Sequence, residues 1–135
     1  MTNLMSAAAA APAISHIGQI AINIYDVDRA IDFYQNKLGL PMLFRAGDLA
    51  FFQSGQTRLM LTKPPKPEFD HPSSILYFFV PAIRAAFEQM KSLGVEFVDE
   101  PHLIAKLPDH DLWLTSFKDS EGNTLALMSE VRPPA

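Results

Sequence analysis

"QIAINIYDVDRAIDFYQNKLGL", residues 19–40, changes its period half-way along. Apolar side chains first recur at every second position, Ile20, Ile22 and Ile24, the pattern of a strand with one buried face. They then recur at Val27, Ala30, Ile31, Tyr34 and Leu38, one face of a helix. Asp26 is placed to cap the start of that helix and Gly39 to end it. The spacing therefore predicts a strand followed by an amphipathic helix over 27–38. It also raises a question, because alternation leaves Gln19, Ala21 and Asn23 on the strand face turned away from the helix.

Downstream, "PMLFRAG" (41–47), "DLAFFQSG" (48–55) and "TRLMLTK" (57–63) are short apolar segments separated by turn signals, and they are expected to be three strands. Residues 64–74, "PPKPEFDHPSS", carry four prolines in eleven positions, which excludes a sheet interior and predicts a linker. The order then repeats. "ILYFFV" (75–80) is expected as a strand, and "PAIRAAFEQMKSLG" (81–94) as a helix with Pro81 in its first turn and Ile83, Ala86, Phe87 and Met90 buried. Segments within 95–105, 111–118 and 123–130 supply the remaining strands. Gly39 and Gly94, each after a leucine, stand 55 positions apart, and with matching element order they indicate an internal duplication. The expected class is α+β: two βαβββ modules, 14–63 and 75–131, in a single domain spanning 14–131, preceded by a flexible tail at 1–13.

At 135 residues the chain suits one domain, and 11 basic against 15 acidic side chains provide no basic face for nucleic acid. The absence of cysteine removes disulfides, thiolate nucleophiles and Cys-ligated zinc. No apolar run approaches the roughly 18 residues of a membrane span, and the opening alanine run has no positive n-region, so no membrane partner and a cytoplasmic location are expected.

The first strand and helix with their "FY…LG" ending, together with "FKDSEGNTLALMSE" (117–130), resemble the vicinal oxygen chelate superfamily over residues 14–131. That superfamily includes glyoxalase I, extradiol dioxygenases and bleomycin-resistance proteins. The resemblance implies that each module curves into a half-barrel, with helices on the convex side, the ligand site on the concave side, and homodimerisation common. Combined with period-2 alternation, it directs Gln19, Ala21 and Asn23 into the cavity, with Arg58, Met60 and Thr62, and with Thr124, Ala126 and Met128.

Metal-dependent members of the family hold a divalent ion through His, Gln or Glu at four strand positions. Carried over residue by residue, those positions fall on Gln19, Met60, Ile75 (or Ser74 if the modules align without a gap) and Ala126. No acid lies between Asp48 and Glu68, so a shift of register does not restore the second station. Glu130 shares the nominal face of Ala126 but lies about 13 Å further along the strand. One neutral amide cannot hold a cation where about three protein ligands are needed, so no metal and no cofactor are expected.

The candidate ligand contacts are Gln19, Asn23, Phe52, Arg58, Met60, Ile75, Tyr77, Trp113, Ala126 and Met128, with Phe51 and Phe79 as further aromatic candidates. Arg58 would attract a carboxylate or phosphate if it faces the cavity, and would otherwise extend into solvent. His102 and His110, the latter beside Asp111, are the candidate catalytic groups, because a histidine with a carboxylate can act as a general base. A surface loop is their bland alternative, and His16 and His71 are expected to be exposed. The leading expectation is metal-independent binding of a small, partly apolar molecule by a homodimer. The alternative is a glyoxalase-like lyase or isomerase, or a dioxygenase-like enzyme, with atypical site residues.

Overall fold

The computed structural model describes residues 11–134. The expected N-terminal tail lies mostly outside them. Strand β1 (Gln19–Asn23) runs into helix α1 (Val27–Asp32), followed by β2 (Met42–Ala46), β3 (Leu49–Ser54) and β4 (Thr57–Thr62). The second module has β5 (Tyr77–Phe79), α2 (Ile83–Ser92), β6 (Glu96–Phe97), β7 (His102–Lys106), β8 (Asp111–Lys118) and β9 (Thr124–Val131).

Each module forms one mixed sheet, and neither closes into a barrel. The first has the order β1-β4-β3-β2, with β1 and β4 parallel; the second runs β5-β9-β8-β6, with β5 and β9 parallel and β7 also paired to β8. The parallel pairs make the duplication exact at the level of register. Ala21 stands opposite Met60 as Tyr77 stands opposite Ala126.

Alternation sorts the faces as burial requires. Ile22, Ile24, Leu59, Leu61, Leu125 and Leu127 point under the helices into a single core shared by both modules. Val27, Ala30, Phe33 and Tyr34 meet them from the first helix, and Ile83 and Met90 from the second. The first helix departs from the sequence expectation. After Asp32 it widens into a π turn, Phe33–Lys37, in which the Leu38 amide donates to the Phe33 carbonyl at 3.1 Å. Phe33 and Tyr34, at the start of this turn, are both buried. Both helix ends are closed by glycines in the left-handed region, Gly39 at φ 72° and Gly94 at φ 90°. Pro81 stands just ahead of the second helix rather than in its first turn, since Ala82 is the N-cap.

The expected strand within 95–105 is broken into β6 and β7. Asp99 makes the break, its carboxylate accepting from the Thr115 hydroxyl and the Ser116 amide, both at 2.8 Å, and so occupying β8 groups between the two short strands.

The modules are tied together at the β8–β9 turn. Buried Asp119 accepts from the Tyr34 hydroxyl at 2.7 Å, from the Glu121 and Asn123 amides at 2.8 Å each, and from the Asn123 side chain at 2.8 Å. Asn123 in turn donates to the Asn23 carbonyl at 2.9 Å. Burial and the Asp119 carboxylate together push the Tyr34 hydroxyl far above its ordinary pKa, so it stays a proton donor at every accessible pH.

Candidate binding site

The concave face of the first sheet is built around the pair that faces across its parallel ladder, Gln19 and Arg58. Arg58 Nε donates to Gln19 Oε1 at 2.7 Å, and Gln19 Nε2 donates to Met60 Sδ at 3.7 Å. The guanidinium carbon lies 5.4 Å from the centre of the Phe51 ring, which itself stacks on Phe44 at 4.4 Å and 22°. The amide that looked misplaced in β1 therefore orients a cation on an aromatic platform. Among the described residues no carboxylate pairs with Arg58.

Beyond Met60 the proline-rich segment runs past the open edge of β1 as a strap. Asn23 holds it: the side-chain amide donates to the Phe69 carbonyl at 2.6 Å and the His71 carbonyl at 3.1 Å, and its backbone amide donates to the Ser73 hydroxyl at 3.2 Å. Between strap and sheet lies a cavity of about 360 Å³, walled by Ala21, Met60 and Thr62 on one side and Pro65, Phe69 and Pro72 on the other. That volume falls within the range of about 300–1,000 Å³ usual for small-molecule sites. A larger space of about 570 Å³ runs beside Phe78 and Val80 at the outer edge of β5, and none of Gln19, Arg58 or Met60 borders it.

The other expected site residues divide clearly. Ile75, Tyr77 and Phe79 share the concave side of the second sheet and are about half exposed, whereas Leu76 and Phe78 pack on the core. The choice between Ser74 and Ile75 is thereby resolved: Ile75 lies two residues before the partner of Ala126, as Gln19 lies two before the partner of Met60. Met128 joins the same face, and Ala126 lies on it without exposed surface.

Phe52 and Trp113 do not line the cavity. Phe52 is fully buried against Tyr34 in the core, and Trp113 packs on that core from the convex side, sharing a face with Thr115 and Phe117. Asn23 is a strap anchor, since both hydrogens of its amide are used by the linker. What sequence reading missed is the strap itself. The prolines excluded a strand without showing where the segment lies.

His102 and His110 are not brought together. His102 is exposed on β7 with Nδ1 2.8 Å from the Glu100 carbonyl, while His110 sits at the other end of the β7–β8 hairpin. There its Nδ1 is 2.8 Å from Asp109, and Nε2 is 3.9 Å from Glu130. Hydrogen bonds from Arg132 and His110 hold the Asp109 carboxyl below its ordinary pKa. Asp111, expected beside His110, is instead paired with Lys106 at 3.1 Å.

A metal does not fit the four family stations. Met60, Ile75 and Ala126 bring no oxygen or nitrogen donor, and Gln19 already holds Arg58. Among the described residues no three His, Asp or Glu side chains are grouped to hold an ion elsewhere.

Glu121 supplies the strongest ionic tie between the modules. Its carboxylate has no exposed surface, yet receives Arg29 Nε at 2.7 Å, Arg29 Nη2 at 3.0 Å and the Tyr25 and Asp26 amides at 2.9 Å each. Burial acts to raise its pKa, but the hydrogen bonds outweigh it and bring the value down from 4.5 to about 2. A lowered carboxylate pKa contributes stability above the unfolded value, and loses it as pH falls from about 4.5 towards 2. With screening at half-exposed Arg29, the loss should be about 1–2 kcal/mol. Urea denaturation at pH 7 and pH 3 should show this drop in the wild type and a smaller one in Glu121→Gln, which is already weakened at pH 7.

Two βαβββ modules with helices on the convex side and a concave, partly apolar site define the class. The sequence profile of the glyoxalase/bleomycin resistance protein/dioxygenase superfamily matches residues 16–127, and the chain belongs to that superfamily. It is 30% identical over 124 residues to the uncharacterized protein YetH of Bacillus subtilis, a match covering 84% of this chain and 98% of that protein. Its fold is similar to that of a superfamily member from Sphaerobacter thermophilus, with a TM-score of 0.73 and 23% identity over 87% of this chain and 98% of the other. It is also similar to a lactoylglutathione lyase from Agrobacterium tumefaciens, with a TM-score of 0.64 and 21% identity over 87% of this chain and 96% of the other. No helix among the described residues is long and apolar enough to cross a membrane.

Proposed function

We propose that this protein binds a small, partly apolar molecule on the concave side of its first sheet, without a metal ion. One observation carries the reading. The stations that would hold a metal carry Met60, Ile75 and Ala126, while a strapped, largely apolar cavity opens against Met60, which in turn contacts Gln19 and through it Arg58. Such a lining favours burial of an apolar body, with a few polar groups left to orient it. The working form is a homodimer in the cytoplasm. Phe44, Ile75, Tyr77 and Phe79, each 48–59% exposed on the concave faces, are the surfaces that a second copy would cover. Light scattering should then give twice the 15.0 kDa of one chain.

A thermal-shift screen of metabolites and antibiotics against protein dialysed with EDTA tests the binding. A ligand at 100 times its dissociation constant adds about 2.7 kcal/mol. The reading expects at least one such compound, and expects Met60→Trp, which fills the cavity, to abolish its shift. A screen without shifts, or shifts that Met60→Trp leaves intact, would count against it. The second reading, an enzyme of lyase, isomerase or dioxygenase type, draws its support from the His110–Asp109 pair.

A further inference from the structure

We infer that the ligand is an amphipathic carboxylate monoanion, its head on Arg58 and its apolar body under the proline strap; this rests on the binding reading above. Arg58 is exposed, yet it is fixed. Gln19 takes its Nε at 2.7 Å and the Phe51 ring lies beneath its guanidinium at 5.4 Å. Both contacts engage the inner edge and one face of the guanidinium, and among the described residues neither Nη has a partner. A planar fork with one nitrogen held and the other two open is the geometry that receives a carboxylate through two parallel hydrogen bonds.

The orienting group is a neutral amide. A carboxylate at residue 19 would neutralise Arg58, whereas Gln19 positions it and leaves its charge available to a ligand. Met60, two residues further along the same strand face and about 6.6 Å away along the backbone, forms part of the cavity wall, so the head group and the apolar space are neighbours on one face. A compound with a carboxylate on a bicyclic or short-chain apolar body has groups for both.

The site favours a single negative charge. A phosphate dianion calls for a second cation or a cluster of backbone amides, and the other basic side chain turned to a concave face, Lys118, is engaged with the Thr124 hydroxyl at 2.7 Å on the second sheet. Phe69 on the strap and Met60 on the sheet provide adaptable apolar walls.

Calorimetric titration of the full chain with 2-naphthoate, 2-naphthamide and inorganic phosphate tests this. The expected result is that naphthoate binds about tenfold or more tightly than the isosteric amide, the ordinary worth of a charge-assisted hydrogen-bonded pair. Arg58→Gln should bring the two affinities together while leaving the melting temperature unchanged, and phosphate should neither bind nor displace naphthoate. The inference is overturned if the wild type binds acid and amide equally, if Arg58→Gln preserves the preference, or if phosphate competes. Amide binding that Met60→Trp abolishes, without any preference for the acid, would sink the carboxylate assignment and leave the cavity reading standing. Binding of neither compound would count against both.

Discussion

Asp119→Ala should be among the most damaging single substitutions in this protein, lowering stability by about 3–4 kcal/mol. The carboxylate is buried and accepts four hydrogen bonds, from the Tyr34 hydroxyl, two backbone amides and the Asn123 side chain. Truncation leaves all four donors without their acceptor, and buried unsatisfied donors cost far more than the net worth of the bonds they lose. The effect also reaches beyond the turn, because Asn123 links this hub to the Asn23 carbonyl and Tyr34 anchors the first helix. Thermal melts should show a fall of about 10 °C for a chain of this size. A drop below about 3 °C would mean that the modules are held together mainly by their shared apolar core. Tyr34→Phe removes one donor and leaves the acceptor its other three, so it should cost distinctly less.

The second large effect separates two neighbouring phenylalanines. Phe52→Ala should cost about 3–5 kcal/mol, since the ring is fully buried between the first sheet and Tyr34, and its removal leaves a cavity that the core cannot close. Phe51→Ala should cost less, roughly 2–3 kcal/mol, because that ring, though only 9% exposed, lies on the concave face against Phe44 and Arg58 and outside the shared core. Chemical denaturation of the two variants measures the difference. Equal losses would mean that the two faces of β3 are assigned wrongly. Only Phe51→Ala should also loosen the Arg58 guanidinium, visible as faster exchange of its Nε proton by NMR.

These two residues mark where sequence reading succeeds and where it stops. The strand faces of β1, β4 and β9 were legible because isoleucine or leucine alternates with other side chains, and a one-residue slip would expose the whole apolar set. In "AFFQ" and "DLWLTSF" apolar side chains occupy both parities, so alternation alone could not assign Phe51, Phe52 or Trp113. The ladders assign them: Phe52 stands opposite Leu59 and Phe117 opposite Leu125, both core residues. The Ile75 ambiguity had the same origin and the same resolution, through the pairing of Tyr77 with Ala126.

The mismatch at the metal stations needed only residue identities, since no placement of Met60 or Ala126 yields the oxygen or nitrogen donor those stations require. The strap was beyond reach for a different reason. Asn23 meets the Phe69 and His71 carbonyls across 46 and 48 residues of sequence, and any amide near a strand end has the same local appearance. The Gln19–Arg58 contact is intermediate. Each residue was assigned to the concave side by parity, and the parallel ladder then placed them opposite one another.

We propose that the concave site works without a metal ion. Elemental analysis of protein purified without chelator, expressed as atoms per chain, tests it most directly. Nickel, zinc, iron and manganese should each be present far below one equivalent, because one amide cannot retain a divalent ion through purification. About one equivalent per chain, removed by EDTA together with ligand binding and restored with it, would contradict the account.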